Sequence, residues 1–325
     1  MASESSSQER IELVIPADDL ILPFQADQAD VVGRLVKLGP VVDTILSRHV
    51  YPEPVSQLLG EAVALTALLG AALKFEGKFI LQASTDGPVD LLVADYQVPG
   101  QLRGYARFSA DRVAALGGGD GVSQLLGQGH FAMTIDRGSE MERYQGVVPL
   151  EGESLTEAAD TYFRQSEQLP TFIRLAVAKH YRAGQAERPW TWRAGGLMIQ
   201  QLPRAGGKRE DVATSEEDDE ENWNRARHLA ATVEDHELLD PLLPPDRLLY
   251  RLFHEEQVRA YPAINLETYC SCSRERVEEL LRRFTSEDLQ DMVVDGEVWV
   301  TCEFCNSRYR FDPASFSKTE DPDRD

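Results

Sequence analysis

Four cysteines are the residues of this chain best suited to chemistry. They are the only cysteines among its 325 residues, and they occur as Cys270-Ser271-Cys272 and, after 29 intervening residues, as Cys302-Glu303-Phe304-Cys305. Four thiolates can complete a tetrahedral zinc shell. Each pair is also close enough in sequence to form a disulfide, and the thiolate is the reactive form of cysteine. The same sulfur atoms can therefore serve as metal ligands or as a redox switch.

The spacing of the cysteines leaves both interpretations open. A static structural zinc site is the simpler one. The C-x-C pair favours a switch, because structural zinc ribbons more usually carry C-x-x-C at both ends. A secreted disulfide scaffold is disfavoured, since four cysteines cannot staple a chain of this length. A thioredoxin-like oxidoreductase is also disfavoured, because no βαβ pattern surrounds Cys302–Cys305.

The charge of the chain argues against nucleic acid as a partner. The formal net charge is −22, and residues 265–313, which include the cysteines, carry six basic and eleven acidic residues. A nucleic-acid-binding zinc finger needs a basic face. No apolar run approaches the ~18 residues of a membrane helix, and the first ten residues lack the apolar core of a secretion signal. We expect a protein of the reducing cytoplasm that binds neither nucleic acid nor membrane.

The elements that must position the cysteines are predicted from the apolar pattern. At roughly 150 residues per domain, the length suggests about two domains, and residues 1–203 are expected to form an N-terminal core domain. Strands that follow one another, with helices on either side, indicate an α+β fold with an antiparallel sheet. Trp190–Trp192 is interpreted as a further strand. The periodicity predicts helices over 55–75, 154–165 and 172–181, and strands over 79–81, 89–94, 130–135 and 144–150.

Residues 204–265 differ in character and are expected to form an acidic and helical linker. The block 216–221 consists only of Asp and Glu, and its like charges predict a solvated insertion or hinge. Helices are predicted over 223–233 and 246–256, interrupted by the prolines of 241–245. Such a segment has one apolar face and is too small for its own core. It must therefore pack against a neighbour.

Residues 266–313 are expected to form a small α+β zinc module, and residues 314–325 a flexible tail. Ser273 is suited to cap an amphipathic helix over 274–284. The N-terminus of that helix, with Arg274 and Arg276 beside it, is expected to favour the thiolate of Cys272. Asp295-Gly296 predicts a turn into a strand. Cys302–Cys305 then lies between two strands, as in a zinc knuckle, with Asn306 where a positive φ is needed.

Energetics indicate what a switch at this module would do. About 45 residues bury too little apolar area to fold securely, whereas structural zinc supplies roughly 10–16 kcal/mol of apparent binding free energy. Oxidation would eject the metal, and a middle segment packed against the module would then lose order and expose apolar faces to unfolding proteins. The candidate client-binding residues are Leu229, Leu248, Leu249, Leu252 and Phe253.

The residues also carry a resemblance to a known family. Cys270–Arg276, with Cys302–Cys305 downstream, resembles the zinc centre of the redox-regulated heat-shock chaperones, the thirty-three-kilodalton chaperonins. Further stretches resemble that family in the same order along the chain: Tyr51–Val55, Asp86–Pro88, Arg143–Val148, Ser166–Pro170, Ala194–Gly196 and Leu252–Glu256. The resemblance extends over most of the chain.

The resemblance implies a chaperone that holds unfolding clients without ATP and has no catalytic site. One zinc ion per chain would be bound by Cys270, Cys272, Cys302 and Cys305 in the reduced form. Oxidants, helped by heat, would form the disulfides Cys270–Cys272 and Cys302–Cys305 and release the zinc. The linker, carried onto this sequence as 204–265, would unfold, and the protein would form a homodimer.

The alternative is a zinc-thiolate redox sensor, or a zinc-stabilised interaction protein with one specific folded partner. A dinucleotide site is disfavoured although Gly127–Ala132 matches G-x-G-x-x-A, because that segment leads into a strand and not into a helix.

Overall fold

A computed structural model describes residues 18–72, 77–116, 124–138, 143–151, 154–182, 184, 187–202 and 216–316. Within these residues it has the predicted mixed α+β class, with a four-cysteine module at the C-terminal end. Residues 203–215, which include the predicted start of the linker, and residues 317–325 of the predicted tail lie outside the described residues. Pro313–Phe316 forms a 3₁₀ turn, so the prediction of a flexible tail is wrong for residues 314–316.

The elements are numbered in chain order. The strands are β1 Leu20–Ala26, β2 Val31–Leu38, β3 Lys78–Thr85, β4 Val89–Gln97, β5 Gln101–Phe108, β6 Gln128–Asp136, β7 Tyr144–Glu151, β8 Thr171–Tyr181, β9 Trp190–Gln201, β10 Val258–Ala260, β11 Ile264–Asn265, β12 Glu267–Thr268, β13 Val293–Val294, β14 Glu297–Thr301 and β15 Arg308–Phe311. The helices are α1 Pro40–Leu46, α2 Glu53–Gly70, α3 Ala110–Ala115, α4 Leu155–Tyr162, α5 Glu216–Ala231, α6 Asp235–Leu239, α7 Pro245–Phe253, α8 Arg274–Leu281 and α9 Ser286–Asp291.

Two sheets form the body of the protein. The first sheet has the order β10-β1-β2-β9-β8, and β11 also pairs with β1. The second has the order β12-β5-β4-β3-β6-β7, in which β12 runs parallel to β5. Helix α2 contacts strands of both sheets and is buried on nearly all sides. A helix that is apolar all round belongs inside a core, so α2 joins the two sheets into one domain.

One predicted helix is wrong, because residues 172–181 lie in β8. This strand pairs with β9 along its whole length, from Thr171 opposite Gln200 to Tyr181 opposite Trp190. Aromatic and β-branched side chains such as Phe172 and Val177 suit a pleated strand, and pairing with a neighbour overrides a weak helical spacing. The predicted strands over 79–81, 89–94, 130–135 and 144–150 are confirmed within β3, β4, β6 and β7.

The described part of the linker is helical from residue 216, so 216–221 is not a hinge, whereas the predicted exposure to solvent agrees with the exposed Asp218, Glu220 and Glu221. These acidic residues begin α5. Carboxylates are stabilised in the first turn of a helix, where the backbone dipole is positive, which offsets their mutual repulsion. Helices α5, α6 and α7 pack their apolar sides on the first sheet. The linker therefore does lean on a neighbour, and that neighbour is the N-terminal domain instead of the cysteine module.

Candidate metal centre and covered apolar face

The structure brings the four predicted cysteines together from two separate loops. Cys270 and Cys272 lie between β12 and α8, and Cys302 and Cys305 lie between β14 and β15. The four Sγ atoms are within 4.8 Å of one another, and all four thiols are free. Cys270 Sγ is 3.2 Å from Cys272 Sγ and 3.7 Å from Cys302 Sγ, and Cys272 Sγ is 3.2 Å from Cys305 Sγ.

Local hydrogen bonds fix both loops. Ser273 caps α8 as predicted, since its Oγ accepts a hydrogen bond from the backbone N–H of Arg276 at 3.2 Å. Arg276 also donates through its guanidinium to the carbonyl of Ser271. In the other loop, Asn306 has a φ of 60°, as predicted, and its N–H donates to the carbonyl of Cys302 at 2.8 Å. Each cysteine pair thus sits in a loop with a defined backbone.

The thiols of Cys272, Cys302 and Cys305 differ in their acidity. Burial raises the pKa of Cys272 to about 12, although the Tyr309 hydroxyl donates a hydrogen bond to its Sγ at 3.2 Å. Burial also raises the pKa of Cys302. Burial opposes the thiolate of Cys305 as well, but hydrogen bonds from the side chain and backbone of Ser307 outweigh it and lower its pKa to about 6. Of these three thiols, Cys305 therefore most readily becomes a thiolate.

The prediction that Arg274, Arg276 and the N-terminus of α8 favour the thiolate of Cys272 is wrong. The guanidinium of Arg274 lies over the ring of Phe311, 4.5 Å from its centroid, and Arg276 is engaged with the Ser271 carbonyl. Neither cation is among the causes of the shift at Cys272, whose pKa is raised. Proximity in sequence to a helix N-terminus does not, in this case, produce an acidic thiol.

The donor set fits a thiophilic metal ion in tetrahedral coordination. Zn–S bonds of about 2.3 Å place the sulfurs of a tetrahedron about 3.8 Å apart. The three Sγ separations of 3.2, 3.7 and 3.2 Å need only a small outward movement to reach that value. Thiols must lose their protons on binding, so metal binding and acidity are linked. The cluster is a candidate metal site with four identified ligands.

The module around these ligands has a very small core. Its buried apolar side chains among the described residues are Leu281, Leu289, Val298, Phe311 and Phe316. Five buried side chains supply little stabilisation for a unit of this size, and small domains of this kind depend on a metal or disulfides. Phe316 packs on Phe311 with ring centroids 5.8 Å apart, so the ordered module extends three residues past the predicted boundary at residue 313.

The N-terminal domain holds the C-x-x-C loop through residues that sequence reasoning missed. His49 Nε2 lies 2.6 Å from the carbonyl oxygen of Glu303, and Asn306 Nδ2 donates to the carbonyl of Arg48 at 2.9 Å. Arg103 of β5 lies over the ring of Phe304. These partners are about 200 residues or more apart in sequence, and no local pattern in the chain marks them as neighbours.

The candidate client-binding residues lie together, and the structure places them under cover. Leu248, Leu249, Leu252 and Phe253 are at most 3% exposed, and Leu229 is partly buried. The Phe253 ring packs against Phe24 of β1, with centroids 5.4 Å apart. They pack on the outward-facing side chains of the first sheet, which are Leu20, Leu22, Phe24, Leu35, Leu197 and Ile199. We call these six residues and the linker side chains on them the covered apolar face.

Two buried cations tie the linker to the same sheet. Lys37 is fully buried, and its Nζ donates to the carbonyl oxygens of Asp240 at 2.6 Å and Leu243 at 2.7 Å. Arg193 Nε donates to the carbonyl of Leu239 at 2.5 Å, and its guanidinium pairs with Asp18. Burial lowers the pKa of Lys37 to about 8. The turn between α6 and α7 is therefore fixed by charge-assisted hydrogen bonds.

Comparison with known proteins gives one consistent family. The model of the Hsp33 protein family matches residues 19–312. The chain is 46% identical over 304 residues to a 33 kDa chaperonin of Caulobacter vibrioides, covering 91% of this chain and 95% of the relative. It is 38% identical over 306 residues to a 33 kDa chaperonin of Pseudomonas fluorescens, covering 94% of each.

A solved structure has the same fold. It is the crystal structure of a 33 kDa chaperonin, a heat shock protein 33 homologue, from Thermotoga maritima. The match has a TM-score of 0.71 at 22% identity and covers 92% of this chain and 96% of the other. Among the described residues of the present chain, no helix has the length and apolar character to cross a membrane.

Proposed function

This chain belongs to the Hsp33 protein family, a family of non-enzymatic chaperonins, and from that premise we propose that it is an ATP-independent holdase switched by its four cysteines. The observation that carries the proposal is the combination of four free thiols within 4.8 Å and a core of five buried side chains around them. A module so poorly supported by its own packing changes state when its sulfurs change chemistry.

In the resting protein the metal is zinc, one ion per chain. Four thiolate donors from Cys270, Cys272, Cys302 and Cys305 suit Zn²⁺, and a bound ion would supply the cross-link between the two loops that the small core does not. Keeping four thiols reduced requires a reducing compartment, so we place the protein in the cytoplasm.

Oxidation converts the thiols into disulfides within each loop, Cys270–Cys272 and Cys302–Cys305. For each disulfide, two thiols and one peroxide molecule give one S–S bond and two molecules of water, so the sulfurs lose two electrons to the peroxide. The Sγ distances alone do not select this pairing, because Cys272 is as close to Cys305 as to Cys270. Pairing within loops is favoured because it leaves the two loops free to separate once the metal is released.

Release of the linker then exposes the covered apolar face. The linker contributes Leu248, Leu249, Leu252 and Phe253, which are buried while it is docked, and Leu229 at the margin of the face, which is partly buried. Exposed apolar surface on a chain of net charge −22 allows unfolding proteins to bind while the complex stays dispersed. The same face gives two oxidised chains a surface for forming a homodimer.

The test uses reduced protein that carries one zinc ion per chain. Peroxide is added at a mildly elevated temperature, zinc release is followed with a chromogenic chelator, and aggregation of several unrelated unfolding clients is followed by light scattering. We expect zinc release, suppression of aggregation and a doubled mass in size-exclusion chromatography to appear together and to reverse with dithiothreitol and zinc. Peptide mapping under non-reducing conditions identifies the disulfides.

A double cysteine variant serves as the control. Cys270→Ser/Cys302→Ser leaves two cysteines, one in each loop, so neither of the proposed disulfides can form. This variant should not be activated reversibly by peroxide. Zinc release without protection of any client would contradict the holdase, and protection of a single folded partner alone would identify a redox sensor instead. Retention of zinc under peroxide would identify a static structural site.

A further inference from the structure

We propose that Arg103 is the positioning residue through which the N-terminal domain holds both cysteine loops at once, and that it sets how readily oxidation releases the metal. The inference rests on the proposed redox switch and assigns to it a residue outside the cysteine module. Arg103 lies on β5 in the second sheet, whereas the linker covers the first sheet. A contact between the module and the second sheet is therefore separate from the covered apolar face.

The guanidinium of Arg103 is held in place within the second sheet by Asp95, independently of the cysteine module. Asp95 lies directly opposite on β4 and is 1% exposed. Its Oδ2 accepts a hydrogen bond from Arg103 Nε at 2.6 Å and forms an ion pair with Arg103 Nη2 at 2.5 Å. A planar guanidinium paired in this way to a buried carboxylate has few accessible orientations. The sheet therefore presents a rigid cation to whatever docks on it.

Both cysteine loops contact that cation. Its central carbon lies 3.8 Å from the ring centroid of Phe304, which stands between Cys302 and Cys305. It lies 5.3 Å from the ring centroid of Tyr269, which precedes Cys270. Arg103 Nη1 also donates to Ser271 Oγ at 3.3 Å. One side chain thus touches the C-x-C loop and the C-x-x-C loop, the two halves that must stay together for four-sulfur coordination.

The segment that connects the linker helices to the cysteine module is attached to the second sheet next to Arg103. The Tyr269 N–H donates to the carbonyl of Leu102 at 3.1 Å, and the two residues of β12 pair with Gln101 and Leu102, next to Arg103. Upstream, β11 and β10 contribute two and three residues to the edge of the first sheet along β1. We call residues 258–269 the strap. Pairings this short are marginal on their own, so the strap stays in place only while its end is held.

These contacts give a route from the sulfurs to the linker. Closing a disulfide inside either loop changes the backbone that carries Phe304 or Tyr269 and withdraws an aromatic ring from Arg103. The strap, whose residues 258–265 are the last part of the linker, then loses its fixed end, and the helical part of the linker is connected directly to its other end at residue 257. Conversely, the stacked guanidinium opposes separation of the loops while zinc is bound. Weakening the stack should therefore accelerate metal loss on oxidation.

The test is Arg103→Lys in the full-length, reduced, zinc-loaded protein. Lysine keeps a positive charge opposite Asp95 but cannot stack a planar group on Phe304 and Tyr269. We expect peroxide-driven zinc release to become about tenfold faster, the size expected for a cation–π contact between two partly buried groups. Arg107→Lys is the matched control, because Arg107 lies on the same strand and pairs with Asp90 at the surface. It should release zinc at the wild-type rate.

A second variant approaches the contact from the module. Phe304→Ala removes the ring without altering the sheet, and it should also accelerate zinc release. If the two residues act through their stack, the double variant should release zinc no faster than the faster single variant. A wild-type rate in Arg103→Lys, or rate increases that multiply in the double variant, would overturn the inference. If Arg103 only stabilises the second sheet, its effect and that of Phe304 on the rate of zinc release are independent, and the two rate increases should multiply in the double variant.

The zinc-release assay also separates this inference from the proposed function. If the wild-type protein released zinc on oxidation but protected no client, the holdase proposal would fail while non-additive effects of Arg103→Lys and Phe304→Ala still supported the contact. If the protein protected clients but Arg103→Lys behaved as wild type, the holdase would stand and Arg103 would have no part in the switch.

Discussion

Replacing Lys37 by methionine should release the linker without any oxidant. The side chain of Lys37 rises from β2 and donates two short hydrogen bonds to backbone carbonyls of the linker, those of Asp240 and Leu243. Methionine has a similar length and fills the same space, but it donates nothing. The two carbonyl oxygens would stay buried without a donor, because they belong to the backbone and no substitution removes them.

The change in the free energy of linker docking is the difference between two opposing effects. Each hydrogen bond from a charged donor contributes about 1.5–3 kcal/mol, so two contribute roughly 3–6 kcal/mol. The ammonium also opposes burial, as its lowered pKa of about 8 indicates, and methionine is free of that penalty. A net loss of about 2–3 kcal/mol in linker docking is expected. At 1.4 kcal/mol per tenfold change, the undocked population should rise by about 30- to 150-fold.

The measurement is limited proteolysis of the reduced, zinc-loaded Lys37→Met protein, together with binding of an apolar dye and suppression of client aggregation. All three should increase without peroxide, while zinc content stays at one ion per chain, since Lys37 lies on the first sheet and not at the module. Lys179→Met is the matched control, because Lys179 lies exposed on β8 and pairs with Glu53 at the surface. If reduced Lys37→Met is as protease-resistant and inactive as wild type, the carbonyl contacts do not hold the linker.

Three further predictions follow from the same structure. Gly195→Ala should also activate the reduced protein, because an added Cβ would lie 2.5 Å from the backbone oxygen of Leu238 and would therefore push the linker away. Gly196→Ala is the control: its Cβ points into the N-terminal core, so it should lower the melting temperature instead. The pKa of Lys37 is about 8 in the folded protein and 10.5 in the free side chain, so the unfolded chain binds more protons between those pH values. The free energy of unfolding of the wild type should therefore increase relative to that of Lys37→Met as the pH rises from 7.5 to 9.5. Urea titrations at several pH values measure this difference. Leu281→Ala should remove about 2–4 kcal/mol from the module core and thereby weaken zinc binding by 30-fold or more in chelator competition, since folding and metal binding of the module are linked.

The cysteine site was predictable because its signal is local. Each pair lies within four residues, and the flanking cap at Ser273 and the positive φ at Asn306 follow from residue type alone. The acidity of the sulfurs was not predictable. It depends on burial and on which hydroxyl reaches which sulfur, such as Tyr309 on Cys272, and both are products of the tertiary fold.

The fold was predictable where a segment's pattern and its environment agree. Strands β3, β4, β6 and β7 are bounded by turn residues, β3, β6 and β7 alternate in burial over part of their length, and all four were found. The segment 172–181 failed because its pairing with β9, which decides its structure, lies outside any local window. The start of α5 failed for a different reason: a run of like charges was interpreted as a solvated insertion or hinge, although at a helix N-terminus the dipole favours such a run.

The arrangement of the docked linker explains why a switch needs more than the loss of a metal ion. The covered apolar face and the Lys37 contacts lie on the first sheet, while the cysteine module docks on the second sheet and on the end of α1. Zinc loss alone removes no contact from the linker. It acts through residues 258–269, whose two- and three-residue pairings connect both sites. The linker's own docking then sets a second threshold, and heat, which weakens that docking, adds to oxidation. A protein in which only the cysteine module had unfolded should therefore keep the covered apolar face buried. The two variants separate the two thresholds. Lys37→Met lowers the threshold for undocking the linker, and Arg103→Lys lowers the threshold for unfolding the cysteine module.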